Sequence, residues 1–198
     1  ASLGGKVLRF TPDGAVPADN PTPGSLVWST GHRNPQCLAW HPVTGDLFLV
    51  DHGPSPTIAG EPFTRGHDEI DRVVAGGNYG WPLAAGNEGA AGFIPPVLES
   101  GRDDTWAPSS ALFYTGDRLA AWRGSLFYGG LIGQHLGRVT LAAPDYRSVA
   151  SHERLFQNAY GRIRAVAQGP DGCLYFVTSN TDGRSGATPR PGDDRLLR

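Results

Sequence analysis

Apolar positions along the chain fall in short, dense runs. The clearest are Asp46-Leu-Phe-Leu-Val50, Ser125-Leu-Phe-Tyr-Gly129 and Cys173-Leu-Tyr-Phe-Val177. Each run follows a glycine-containing turn and an earlier apolar stretch, so residues 37–53, 111–131 and 164–180 read as three copies of strand, turn, strand. A further short segment carrying an arginine comes after each copy: DEIDRVV (68–74), HLGRVTL (135–141) and DDRLLR (193–198). The opening GKVLRF (5–10) reads as one more such segment, belonging to a preceding unit. Short apolar runs bounded by Gly, Pro, Asn and Asp are strands. The helical period is nearly absent, and only part of 145–157 fits it weakly. Long insertions occupy 54–67 and 80–108, which makes the repeat uneven.

Repeated three- or four-stranded meanders are the pattern of propeller blades. A β-sandwich is the rival, and the recurring third strand with its arginine favours the propeller. The predicted fold is therefore all-β, one domain over 1–198 built of roughly three four-stranded blades. Closed propellers have typically four to eight blades, and an arc of about three leaves unpaired strand edges. The chain is thus expected to be part of a larger propeller, or a half-propeller that closes on a second copy.

Composition supports a turn-rich globular domain. Glycine (28) and proline (17) are abundant, yet five Trp, six Tyr and eight Phe supply a core. Seventeen basic against nineteen acidic residues give a net charge of −2, which argues against a nucleic-acid binder or a polybasic membrane-surface protein. No stretch approaches the about 20 apolar residues of a membrane span. The chain opens Ala-Ser-Leu and has no Met, so its start is expected to be processed or a cut. Cys37 and Cys173 lie in apolar runs and are expected to be buried thiols rather than a disulfide.

Several clusters carry candidate chemistry. In Gly31-His32-Arg33-Asn34-Pro35-Gln36, Arg33 offers a bidentate fork to an anion and Asn34 both donates and accepts; a structural arginine packing a turn is the plainer reading. Asp51-His52-Gly53-Pro54 ends a strand, and His67-Asp68-Glu69-Ile70-Asp71 and Gly76-Gly77-Asn78-Tyr79-Gly80 follow. Carboxylates beside glycine-rich turns with accessible carbonyls suit Ca²⁺; a solvated acidic turn is the alternative. In Gly161-Arg162-Ile163-Arg164, strand alternation puts both guanidiniums on one face, which calls for an anionic ligand or acidic partners. Six scattered histidines form no zinc motif, and no GxSxG elbow, P-loop or GxGxxG is present.

Together these stretches resemble the soluble aldose sugar dehydrogenases that depend on pyrroloquinoline quinone (PQQ), the glucose/sorbosone dehydrogenase family. The matching text is GHRNPQ with LAW and LF (31–48), HGP (52–54), DEI (68–70), GGNYGWP (76–82), FYTGDR with AWRG and LF (113–127), GRIR (161–164), GPDG with LY (169–175) and GDDRLLR (192–198), in the family's order. The resemblance implies a six-bladed propeller with PQQ and Ca²⁺ at the top of its channel, this chain matching the later blades. It implies that Arg33, the residue assigned to catalysis, and Asn34 contact the quinone, and that Arg162 and Arg164 face the cofactor's carboxylates. It implies that the carbonyls of Gly53 and Pro54 bind the Ca²⁺ beside PQQ. Glu69, with the carbonyls of Tyr79 and Ala85, would form part of a second, structural Ca²⁺ site. The implied activity is oxidation of an aldose sugar to its lactone with electrons passed to an external acceptor, in a periplasmic or secreted enzyme. A non-catalytic binding or structural module, self-assembling as a homodimer, is the alternative. The family's general base, a histidine of an earlier blade, falls outside this chain. A lysine that some members place beside the cofactor aligns near Ile132, and the Asp that often follows GRIR is Ala165.

Overall fold

In the computed structural model, residues 2–55, 59–184 and 191–198 are described; part of the 54–67 insertion, 56–58, lies outside them. The described chain is almost entirely strand and turn, with a single 3₁₀ turn at Ala120–Trp122. Strands β1 (Lys6–Leu8) and β2 (Val27–Thr30) form an antiparallel ribbon. The first sheet orders β3 (Pro35–Trp40), β4 (Leu47–Asp51), β5 (Glu69–Val73) and, beyond the β6–β7 ribbon (Ala84–Ala85, Glu88–Gly89), the short β8 (Leu98–Glu99). The second sheet runs β9 (Pro108–Phe113), β10 (Leu126–Gly130), β11 (His135–Leu141) and β12 (Val149–Leu155). The third has β13 (Ile163–Gln168), β14 (Leu174–Thr178) and β15 (Leu196–Leu197). All pairings within the sheets are antiparallel meanders, as the repeats predict.

The sheets pack face to face in chain order. Phe48, Val50 and Ile70 of the first meet Ala111, Phe113, Leu126 and Tyr128 of the second. Phe127 and Leu136 of the second meet Ile163, Val166 and Phe176 of the third. The middle sheet is therefore covered on both faces, and all five residues of β10 are buried. Burying a side chain as large as Leu126 or Phe127 contributes about 1.5–3 kcal/mol. On its other face the first sheet packs Leu49 and Val73 against Val7 and Trp28 of the ribbon. The arginines of the repeat lie over aromatic rings or beside acids: Arg138 over Trp122 (5.8 Å), Arg195 over Tyr160 (5.8 Å), Arg72 on Asp46 (3.4 Å).

Strand β9 lies beside both β3 and β13, and β9 and β13 run the same way. Cys37 Sγ contacts Ala111 O, Ser109 Oγ donates to Ile163 O (2.9 Å), and Val166 N donates to Ser110 Oγ (2.8 Å). The residues that precede these strands, Arg33-Asn34, Trp106-Ala107 and Gly161-Arg162, thus gather at one end of the molecule.

Two expectations need correction. The weakly helical stretch within 145–157 is strand β12. Val149, His152 and Leu155 are its half-buried positions, and the register slips between Thr140 and Leu141 of its partner. A period near three on an edge strand imitates a helix. Cys37 and Cys173 are free, as expected, but half-buried rather than buried; Cys37 is on β3 and Cys173 directly precedes β14.

Candidate active site

The end where β3 begins is built around a tight turn. Gly31 has φ +78°, and a Cβ there would overlap Asn78 Oδ1 and the backbone nitrogens of Tyr79 and Gly80. The glycine thus lets the 76–82 segment dock: Tyr79 N donates to Thr30 O (3.0 Å) and Trp81 N to Gly31 O (2.9 Å). After the turn, Asp51 at the end of β4 accepts the backbone N–H groups of Arg33 (2.9 Å) and Asn34 (2.6 Å). Tyr79 stacks on His32 (4.6 Å), while its hydroxyl donates to Arg72 O (2.6 Å) and accepts from Val74 N (3.0 Å).

Arg33 is held by three kinds of contact. Its Nε and one terminal nitrogen donate to the two oxygens of Glu61 (2.7 and 3.1 Å), its other terminal nitrogen donates to His52 O (3.2 Å), and its guanidinium lies 5.6 Å from the Trp81 ring centre. Asn34 is exposed; its Nδ2 lies 3.4 Å from His52 Nδ1 and its Oδ1 accepts from Gln36 (3.0 Å).

A crevice of about 10 Å³, the size of one water or one ion, opens beside Arg33. Gly53, Pro54, Glu69, Tyr79 and Ala85, the expected metal-binding positions, all line it. Pro54 is buried, and Gly53 packs so closely on the backbone of Gly66 and His67 that no side chain fits there. Gly53 N donates to Asp68 Oδ1 (3.0 Å), and Asp68 Oδ2 takes the N–H groups of Trp106 (2.6 Å) and Ala107 (2.9 Å), tying the first sheet to the start of the second.

The face of β4 and β5 below the crevice is acidic. Register pairs Asp51 with Glu69 and Leu49 with Asp71, so the three carboxyls share one side. Burial raises the Asp51 carboxyl to about 6 against the N–H bonds from Asn34 and Arg33. Burial and the neighbouring Asp71 push Glu69 well up, and only the Gly86 N–H draws it back. Carboxyls raised in this way lack positive charge, and a divalent cation in the crevice would supply it, so the residues fit a Ca²⁺ site.

At the third sheet the same construction recurs. Gly161 has φ +77°, and Asn180, just past β14, accepts the Arg162 N–H on Oδ1 (2.9 Å). Arg162 is buried and Arg164 is not, and both donate to a single oxygen, Asp182 Oδ2 (3.0 Å each). The one-face prediction for the two arginines therefore holds, and one carboxylate sits between them. Desolvation pushes Asp182 up, but the Arg184 N–H and Arg162 outweigh it and hold the carboxyl at about 2. One carboxylate cannot neutralise two guanidiniums, so the pair keeps one positive charge for an anion.

The two arms meet at His52. Burial, with the positive charges of Arg33 and Arg164, depresses this imidazole to about 4. The charges of Arg33, from the first sheet, and Arg164, from the third, are therefore both felt at His52. Sequence reasoning did not assign Asp51, Glu61, Asp71 or Asp182. Alternation alone puts Asp71 on the face of Glu69, and that signal was available. Glu61 and Asp182 lie in an insertion and a turn, where no period points to them.

Comparison with known proteins bears on the family and the fold. Residues 1–187 match the Glucose / Sorbosone dehydrogenase family. An oxidoreductase of Thermus thermophilus, described as a glucose dehydrogenase, is 43% identical with a TM-score of 0.81, over 98% of this chain and 55% of that one. The PQQ-bound aldose sugar dehydrogenase of Streptomyces coelicolor is 40% identical with a TM-score of 0.77, over 99% of this chain and 52% of that one. The aldose sugar dehydrogenase YliI of Escherichia coli is 34% identical over 91% of this chain and 50% of its own length. The chain spans about half the length of the curated relatives it matches. No helix among the described residues is long and apolar enough to cross a membrane. With its family match, its all-β sheets and its paired arginine arms, the chain belongs to the glucose/sorbosone dehydrogenase family.

Proposed function

We propose that this chain forms one side of the cofactor site of a PQQ-dependent dehydrogenase that oxidises aldose sugars to lactones. The observation that carries the reading is the pair of arginine arms, Arg33 on His52 O and Arg162 with Arg164 on one Asp182 oxygen, whose charges both reach His52. PQQ is a planar tricarboxylate, and it would bridge two such arms. When bound, it supplies the two-electron acceptor for a sugar C–H hydride. Arg33 would present its fork to a quinone oxygen and stabilise the charge that develops there, with Asn34 beside it. Arg162 and Arg164 would hold carboxylates of the cofactor. Gly53 and Pro54, through their carbonyls, would hold the Ca²⁺ that acts as a Lewis acid, and Glu69 with the carbonyls of Tyr79 and Ala85 a structural Ca²⁺; the single-ion crevice that both sets line would have to widen to take the two.

None of the six histidines is assigned as general base; that proton acceptor comes from blades outside this chain. The three sheets read as blades of a six-bladed propeller closed by those blades, with two chains of this kind closing on each other as the homodimer variant. Among the described residues the third sheet has three strands and leaves a groove of about 400 Å³ against the second, lined by Trp122, Phe156, Tyr160, Phe176 and Leu197. We place the enzyme in the periplasm or outside the cell on the family resemblance.

The test is aldose-dependent reduction of an artificial electron acceptor by the complete protein, before and after PQQ and Ca²⁺ are added. Activity that appears only with both supports the reading. PQQ and Ca²⁺ binding without turnover of any aldose would instead favour a non-catalytic module.

A further inference from the structure

One buried cluster on the acidic face is left unexplained by the crevice and by the arginine arms. His32, in the turn before Arg33, is 1% exposed, and Asp71 on β5 is fully buried. His32 Nε2 lies 2.8 Å from Ser29 Oγ, itself buried. In the tautomer whose Nε2–H donates to Ser29, Nδ1 carries a lone pair; this is the tautomer a metal at Nδ1 requires. Nδ1 points at Asp71 Oδ2 (3.6 Å) and Asp51 Oδ2 (3.8 Å), too far for hydrogen bonds to either. Among the described residues Nδ1 and both Asp71 oxygens have no hydrogen-bond partner, and no lysine or arginine pairs with Asp71. Burying a carboxylate without a partner costs several kcal/mol.

A Lewis base and two carboxylates aimed at one point need something electropositive between them. One ligand atom from each of the three residues lies within 4.8 Å of the others. Three ligands at about 2.0–2.2 Å from one ion stand roughly 3–3.6 Å apart, so the two His32 distances already nearly fit and the two carboxylates would close on each other by up to about 1–2 Å. The Nε2 bond to Ser29 is the outer hydrogen bond that metal-ligating histidines characteristically make. The imidazole also selects the ion: Ca²⁺ takes oxygen ligands, whereas one nitrogen with two carboxylates suits a transition metal such as Zn²⁺, Co²⁺ or Mn²⁺.

We propose that His32 Nδ1, Asp51 and Asp71 form a structural site for a divalent transition metal, separate from the Ca²⁺ position at Glu69. The ion would tie the turn that carries Arg33 to β5, with Asp51 joining the two since it also caps the Arg33 and Asn34 N–H groups. This site depends on no cofactor and stands whether or not the chain binds PQQ.

The experiment strips the protein with a chelator, adds excess Ca²⁺ to fill oxygen-only sites, and titrates Co²⁺ as a spectroscopic probe. The expected result is one equivalent bound with a visible d–d absorption band, displaced by Zn²⁺ and not by Ca²⁺. Asp71→Asn should weaken Co²⁺ binding by more than the about 10–100-fold that outer-partner changes cause. Ser29→Ala should weaken it within that range, and it keeps the test open if Asp71→Asn does not fold. Glu69→Gln should leave the Co²⁺ stoichiometry at one. No saturable Co²⁺ binding in the presence of Ca²⁺ would overturn the proposal, because a proton then fills the gap. So would Co²⁺ binding that survives Ser29→Ala and Asp71→Asn unchanged, or that disappears in Glu69→Gln.

Discussion

The first and third sheets build their arginine arms on one plan and finish them differently. In both, a glycine with positive φ precedes the arginine, and a side chain from the end of the next strand accepts the arginine's own N–H: Asp51 for Arg33, Asn180 for Arg162. The first arm is then sealed. Arg33 and Glu61 have side chains 10% and 13% exposed, Trp81 covers the guanidinium, and Asp51 and Asp71 lie buried alongside with Glu69 half-buried. The third arm stays open: the Arg164 side chain is 43% exposed and shares one carboxylate with Arg162. The closed arm suits chemistry that needs fixed geometry in a dry pocket; the open arm suits attraction of an anion from solvent.

The glycine turns provide the sharpest break of this parallel. Gly31→Ala forces a Cβ into backbone of the 76–82 segment, whereas at Gly161 the obstacle is the Asn180 side chain, which can swing away. Loss of more than about 4 kcal/mol, amounting to failure to fold, is expected for Gly31→Ala. Gly161→Ala should cost about 2–3 kcal/mol, from the left-handed backbone and the lost cap together. Chemical denaturation measures both, and equal losses would break the comparison.

Next in size is Tyr79→Phe, which strips the hydroxyl from Arg72 O and Val74 N without changing the ring stacked on His32. A loss of about 1–3 kcal/mol is expected, confined to the closed arm, since buried partners are left unmet. Hydrogen exchange should show faster opening in 68–82 and unchanged protection in β13 and β14.

The open arm has its own signature in pH. Asp182 is held at about 2, below its ordinary value near 3.8. A depressed carboxyl adds stability above the unfolded value, and that stability goes as pH falls from about 4 through about 2. The melting temperature of Asp182→Asn should therefore fall less steeply than wild type across that window. Identical slopes would mean that the two arginines do not depend on this carboxylate.

The smallest effect concerns Glu61. It occupies the fork that Arg33 would offer to a cofactor, so Glu61→Ala should tighten PQQ binding. A half-buried ion pair of about 0.4–1.4 kcal/mol corresponds to a gain of about two- to tenfold. Weaker binding would make Glu61 a support for Arg33 rather than its competitor.

The sheets were largely legible because strands bury alternate apolar residues at short range. The predicted segment HLGRVTL is β11 residue for residue, and DEIDRVV contains β5. Strand β2 escaped because Val27–Thr30 follows a Gly/Pro-rich stretch and pairs only with β1. Strand β8 escaped because its two residues are strand only through Glu69 and Ile70. At the site, Arg33 and Arg162 stood out from their neighbours in sequence. Their acidic partners did not, since Glu61 and Asp182 are brought in by loops 28 and 20 residues away. Long-range pairing of charges leaves no periodic trace in a single sequence.

The most direct test of a shared cofactor is a PQQ titration, in the presence of Ca²⁺, of wild-type protein, Arg33→Ala and Arg164→Ala. If both arms hold one ligand, each substitution lowers affinity by about 10–100-fold, the loss of one charge-assisted contact, while the fold stays intact. Wild-type affinity in either variant would mean that the arms do not share a cofactor, and would contradict the assignment of this end of the molecule as its site.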